Sequence, residues 1–194
     1  MDMKIYLIDR NPDMIYAWNA VFDKEKDIFI IHGDICDFVP ENIVDCVVSP
    51  ANSFGLMDGG FDAALTDIFG DELQKNVQKY IMENYYGEQP VGSSFIIDTP
   101  IDGIKLIHTP TMRVPERILD PAVVYRCTRT SLICALQNNV KSILLPAFGG
   151  LAGGIAPEIL AKMMWLAIHQ LKAPKKEMTW KYAFDSHYRN MKWF

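Results

Sequence analysis

"VVSPANSFGLMDGG", residues 47–60, passes from a β-branched apolar run into a segment holding Asn52, Ser53, Asp58 and three glycines. A short apolar run bounded by turn residues reads as a buried strand. The glycines that follow keep side chains away from the main chain, as a loop does when something must approach it closely. A second stretch repeats this layout. In "LLPAFGGLAGGIAPE", residues 144–158, a buried strand again runs through glycines into a helix. Strand-to-helix loops collect at the carboxyl edge of an open α/β sheet, where ligands generally bind. Two such loops side by side make a cleft.

Gly149, Gly150, Gly153 and Gly154 lack Cβ atoms, so this part of the chain can take positive φ and bring its N–H groups up to an anion. The helix expected to begin near Ile155 adds partial positive charge at the same place. Known phosphate fingerprints do not fit. Neither loop reads G-x-x-x-x-G-K-[ST] or G-x-G-x-x-G with a ribose-binding acid at the right distance, which argues against a P-loop NTPase and a standard Rossmann dehydrogenase.

The rest of the chain alternates strands with helices. Strands are expected over 4–8, 28–31, 43–48 and 142–146, and a hairpin over 94–97 and 104–107 turns at Asp102-Gly103. Helices are expected over 11–22, 61–69, 73–85, 122–138 and 155–171, with Gly70 as a stop. Residues 32–42 read as a connection punctuated by Gly33 and Pro40, 109–121 as a proline-broken surface loop, 172–176 as a solvated basic helix end, and 180–184 as a final strand. This order predicts one three-layer α/β/α domain over residues 1–194 with a central mixed, largely parallel sheet.

Composition narrows the function. Hydrophobic residues make up 49% and charged residues 22%, as in an ordinary globular protein. A net charge of −5 works against general nucleic-acid binding, which needs clustered cations to displace counterions from phosphates. No apolar run is long enough to cross a bilayer and residues 1–9 are too short for a secretory signal, so a cytoplasmic protein without membrane partners is expected. Cys36, Cys46, Cys127 and Cys134 form no Cys-x-x-Cys pair, so buried reduced thiols are expected and no metal. His108 reads as a satisfied residue at a strand end, and Arg113 as a loop ion pair.

"GDI" at 33–35, "PAN" at 50–52, "GGFD" at 59–62, "LPAFGG" at 145–150 and "PTMRVP" at 110–115 together resemble the macro domain, the ADP-ribose-binding module, in the group that reads SPANSFGxMDGG. The resemblance covers nearly the whole chain in order. It implies that Asp34 accepts the adenine amino group with Ile35 as an adjacent backbone contact, and that Asn52 meets the distal ribose. It places Gly59 and Gly60 beside the pyrophosphate and that ribose. Asp62 matches the acid that, in hydrolytic members, positions or activates a water.

The resemblance also makes the loop Gly149, Gly150, Leu151, Ala152, Gly153, Gly154 the second phosphate cradle, and puts Phe184, at the end of the last strand, against adenine. Leu151 stands where many members have glycine, and Gly153 where many have an aromatic. Both departures favour binding of ADP-ribose, or of an ADP-ribosylated protein, without turnover. The alternative is a hydrolase acting on a mono-ADP-ribosyl group or on a phosphate or acetyl ester of ADP-ribose, with Asn52 and Asp62 catalytic. A third class is an assembly-associated protein that keeps the fold and has lost the pocket. No cofactor is implied.

Overall fold

The computed structural model describes residues 2–41, 44–173 and 177–185. Among these, six strands and seven helices follow in the order β1 (Lys4–Asp9), α1 (Pro12–Phe22), β2 (Ile28–His32), α2 (Ile35–Glu41), β3 (Cys46–Ser49), α3 (Gly60–Phe69), α4 (Glu72–Tyr85), β4 (Phe95–Asp98), β5 (Lys105–His108), α5 (Ala122–Gln137), β6 (Ser142–Pro146), α6 (Pro157–Lys172) and α7 (Trp180–Asp185). The strands form one sheet in the order β2-β1-β6-β3-β5-β4. Only β4, which pairs with β5 in the expected hairpin, runs antiparallel to its neighbour.

Why the strands read as continuous apolar runs is visible in their burial. Side chains alternate across a sheet, and here both faces are covered. Ile5 and Leu7 of β1, Cys46 and Val48 of β3, and Ile143 and Leu145 of β6 point into one core with α1, α5 and α6. Ile8, Val47 and Leu144 point into the other, with α2, α3 and α4. The outcome is the expected three-layer α/β/α arrangement. α1 starts as anticipated: Asn11 accepts the Asp13 N–H at 3.0 Å and Pro12 occupies the first turn, where a missing N–H costs nothing. Gly70, at φ 81°, ends α3.

Some expectations fail. The connection over 32–42 contains α2; Asp34 accepts the Cys36 N–H at 2.9 Å and so tethers its first turn, and Pro40, at the penultimate position, deprives the last turn of one N–H donor. Of the strand expected over 43–48, residue 43 lies outside the described residues, Val44 and Asp45 precede the strand, and β3 runs Cys46–Ser49. The loop after β5 is not all surface. Thr109 N–H donates to Ser49 O at 3.1 Å and Thr111 N–H to Ala51 O at 2.9 Å, so the chain runs on beside the first glycine-rich loop, buried as far as Thr111.

The final strand over 180–184 is instead the helix α7. Its apolar residues fit both a period of two and an i, i+4 pair, and the second wins: the Trp180 and Phe184 rings lie 5.9 Å apart on one face, and Lys181 pairs with Asp185 one turn on. Of the basic segment 172–176, residues 174–176 lie outside the described residues. Lys172 is no solvated end, since its ammonium donates to Glu25 and Asp27, both at 2.6 Å.

Candidate functional site

β3 and β6 are neighbours, in register through Cys46↔Ile143 and Val47↔Leu144, so the loops that leave their carboxyl ends are also neighbours. Between those loops lies a cavity of about 360 Å³. The end of β1, through Asp9 and Asn11, closes one side; Thr111, Met112 and Pro115 close another. Its size falls within the usual range for a small-molecule site. Asp9, Asp58 and Asp62 line it, and no Lys, Arg or His does among the described residues.

The first loop is held by side chains. Asn52 Oδ1 accepts the N–H groups of Phe54 at 3.1 Å and Leu56 at 3.3 Å, and its Nδ2 donates to Leu56 O at 2.7 Å. Gln74 accepts the Met57 N–H at 2.7 Å, and the Thr66 hydroxyl donates to Met57 O at 3.0 Å. Asn52 is therefore on the cavity wall with its amide engaged in bracing its own loop. Arg113 adds to the outer side, forming a two-point pair with Glu88 at 2.8 and 3.0 Å and lying over the Phe54 ring at 5.0 Å, which is the ion pair expected of it.

The loop then turns into α3 through Gly59, whose added Cβ would meet nothing, and Gly60 at φ 57°. No side chain caps this helix, and Gly60, Phe61 and Asp62 of its first turn line the cavity. Asp62 is 7% exposed, and the Ser49 hydroxyl donates to its Oδ1 at 2.6 Å. Burial pushes the Asp62 carboxyl up to about 7, against the opposite pull of the Ser49 hydrogen bond.

The second loop is held by the main chain. Gly150 N–H donates to Ala147 O at 3.2 Å, Gly154 N–H to Leu151 O at 3.1 Å, and Ile155 N–H to Gly149 O at 3.2 Å. Gly153 sits where a Cβ would lie 2.6 Å from both Gly149 O and the Ile118 side chain, and Gly149 has φ 76°. This explains Gly153 physically: the turn has closed on the space an aromatic would need. The N–H groups of Leu151, Ala152 and Gly153 find no acceptor among the described residues. Leu151 is 76% exposed, so it lies at the cavity mouth and does not plug the floor. Its tip comes 3.7 Å from the point a Cβ on Gly60 would occupy, which brings the two loops within reach of each other.

Of the expected site residues, Asn52, Gly59, Gly60, Asp62, Gly149, Gly150, Leu151, Ala152 and Gly153 meet on the cavity, with Gly154 just behind them at φ 62°. Asp34 and Ile35 do not line it. Asp34 stands beside its β1 end, next to Gly33, whose N–H donates to Asp9 O at 3.1 Å. The Asp34 carboxylate accepts the Cys36 N–H, the main reason it is held below the usual carboxylate range, and also takes Arg10 Nη1 at 3.1 Å. Ile35, the first residue of α2, is buried in the core. Phe184 is on α7, 62% exposed, and does not line the cavity; the placement at a strand end fails with the strand itself.

Sequence reading misses Asp9, Asn11 and Ser49. The signal for the first two is present, since β1 ends there and a parallel neighbour of β6 must open onto the same edge. His108 is fully buried, with Nδ1 2.6 Å from Gln89 Oε1, and burial holds it down to about 3, so it stays neutral. The four cysteines are free thiols, and no cluster of metal-ligating side chains occurs among the described residues. No helix among the described residues is long and apolar enough to cross a membrane.

Comparison with known proteins places the chain. The macro domain family model matches residues 48–164, and the chain belongs to the macro domain family. It is 32% identical over 142 residues to an O-acetyl-ADP-ribose deacetylase of Escherichia fergusonii, covering 70% of this chain and 76% of that protein. An uncharacterized protein of Aquifex aeolicus is 31% identical over 140 residues, 71% of this chain and 78% of its own length. Among solved structures, an Oceanobacillus iheyensis macrodomain with ADP superposes with a TM-score of 0.61 at 24% identity, over 71% of this chain and 72% of that one. The macrodomain of Mycobacterium tuberculosis DarG gives 0.59 at 22% identity, over 72% and 88%.

Proposed function

We propose that the protein binds ADP-ribose, or an ADP-ribosyl group carried on a protein, in the cleft between residues 50–60 and 147–156. The observation that carries this reading is the pairing of uncommitted N–H groups on Leu151, Ala152 and Gly153 with an uncapped α3 N-terminus on a wall without cations. Such a site holds a diphosphate through main-chain dipoles. Hydrogen bonds to a charged acceptor contribute roughly 1.5–3 kcal/mol each, so several of them together offset much of the cost of ordering the ligand. Membership of the family supports the ligand class, as does the named deacetylase relative.

A second reading, hydrolysis of an ADP-ribosyl bond or of an ester on ADP-ribose, is favoured by one feature. Asp62 is an acid on the cavity wall whose proton equilibrium sits near neutrality, where a general acid or base is most effective. Asn52 has its amide oriented by its own loop, so its contribution on this reading is to hold the wall that faces the ligand.

Calorimetric titration with ADP-ribose tests the first reading: saturable heat is expected, with adenosine far weaker because it lacks the diphosphate. No heat at millimolar ADP-ribose would reject it. Release of acetate from O-acetyl-ADP-ribose, or of ADP-ribose from a modified protein, separates turnover from binding alone.

A further inference from the structure

The buried side-chain pair Ser49 and Asp62 belongs to different elements and is made only by the fold. Ser49 is the last residue of β3 and fully buried; Asp62 is the third residue of α3. Their 2.6 Å contact engages Oδ1, and no other side-chain or backbone donor reaches this carboxyl among the described residues. A serine hydroxyl has a single proton to donate, so Oδ2 is left to meet the cavity that Asp62 lines. We propose that Ser49 is a positioning residue for Asp62, anchoring Oδ1 so that Oδ2 serves as the acid–base group of the cleft. This rests on the hydrolytic reading of the site.

The chemistry assigned to that oxygen is simple. A water oxygen bonds to the anomeric carbon, the bond from that carbon to the departing carboxylate breaks with its electron pair leaving on the carboxylate, and a water proton passes to Asp62. For this the carboxyl must be ionised in useful amounts at neutral pH, yet burial opposes ionisation. The Ser49 hydrogen bond favours the ionised form and so works against burial.

No other group around Asp62 does this among the described residues. β6 presents the apolar Leu144 to the same core, and α2 presents Cys36, whose thiol points to Ala64 O at 3.9 Å. β5 presents His108, which is neutral and turned by Nδ1 to Gln89. Asp9 and Asp58 share the cavity, and neither contributes to the shift of Asp62.

The test is a pair of variants, Ser49→Ala and Ser49→Thr, with two readouts. In the free protein, the ¹³C signal of the Asp62 carboxyl is followed against pH: Ser49→Ala is expected to raise its midpoint by about one unit, and Ser49→Thr to return it close to wild type. Turnover of the alanine variant is expected to fall about fivefold at pH 7 and to recover above about pH 9, because a higher midpoint leaves less carboxylate at neutrality. An unchanged carboxyl midpoint in Ser49→Ala, or a threonine variant that behaves like alanine, overturns the proposal. A wild-type protein without turnover defeats the hydrolytic reading separately, and the pH dependence of ADP-ribose affinity then replaces turnover as the second readout, with the same expected displacement.

Discussion

The two loops of the cleft do the same geometric job by opposite means. The first is tied down by side chains, Asn52, Gln74 and Thr66, and it delivers a charge-bearing group, Asp62. The second is tied down by its own main chain, with Ile118 filling the space beneath its glycines, and it delivers uncharged N–H donors. An acidic protein can therefore offer one wall to a phosphate without cations and keep a titrating acid on the other. Each wall has its own weakness: the first fails on loss of a side chain, the second on gain of one.

The largest expected effect tests the charged wall. Asp62 titrates near 7 in the folded protein and near 3.8 as a free carboxyl, so between those values the folded state holds a proton that the unfolded chain has lost. Its contribution is fully present below about pH 4 and is lost as pH rises to about 7. Asp62→Asn is thus expected to be more stable than wild type by a few kcal/mol at about pH 8, with the difference vanishing near pH 4. Urea unfolding at both values checks this. His108 acts in the opposite sense, being depressed to about 3: stability is lost as pH falls from 6.5 towards 3, equally in wild type and in Asp62→Asn.

Next comes the main-chain wall. Gly153→Ala places a methyl group 2.6 Å from a backbone oxygen, so the turn must open. We expect a loss of about 1–3 kcal/mol in stability and a larger proportional loss of ADP-ribose affinity, read by thermal melting and calorimetry. Asn52→Ala removes the brace of the first loop. Because Leu56 is half-exposed and water can replace part of what is lost, about 1–2 kcal/mol is expected in urea. The smallest effect belongs to Arg113→Ala, an exposed ion pair whose loss is expected to leave the urea midpoint almost unmoved and ADP-ribose affinity within about twofold of wild type.

The same contrast governs which features are legible in the amino-acid sequence. The strands of the sheet are legible because they are buried on both faces and bounded by turn residues, and the two loops because the same glycine-rich passage from strand to helix occurs twice. α2 is hidden by Pro40, and α7 by an alternation that suits a helix pair equally well. Within the site, the glycines and Asp62 are legible. The Ser49 contact is not, since nothing in local spacing reports a hydrogen bond between a strand end and a helix thirteen residues on. Asn52 reads as a polar residue needing partners; that those partners lie up to four residues away in its own loop is a matter of turn geometry.

The decisive measurement is a crystal structure of the protein soaked with ADP-ribose. Diphosphate oxygens within about 3 Å of the N–H groups of residues 151–153 and of the first turn of α3 are the predicted result. A ligand held instead by the guanidinium groups of Arg10, Arg113 or Arg117, the last of which lies beside Gly154, with the N–H groups of residues 151–153 still facing solvent, would contradict it.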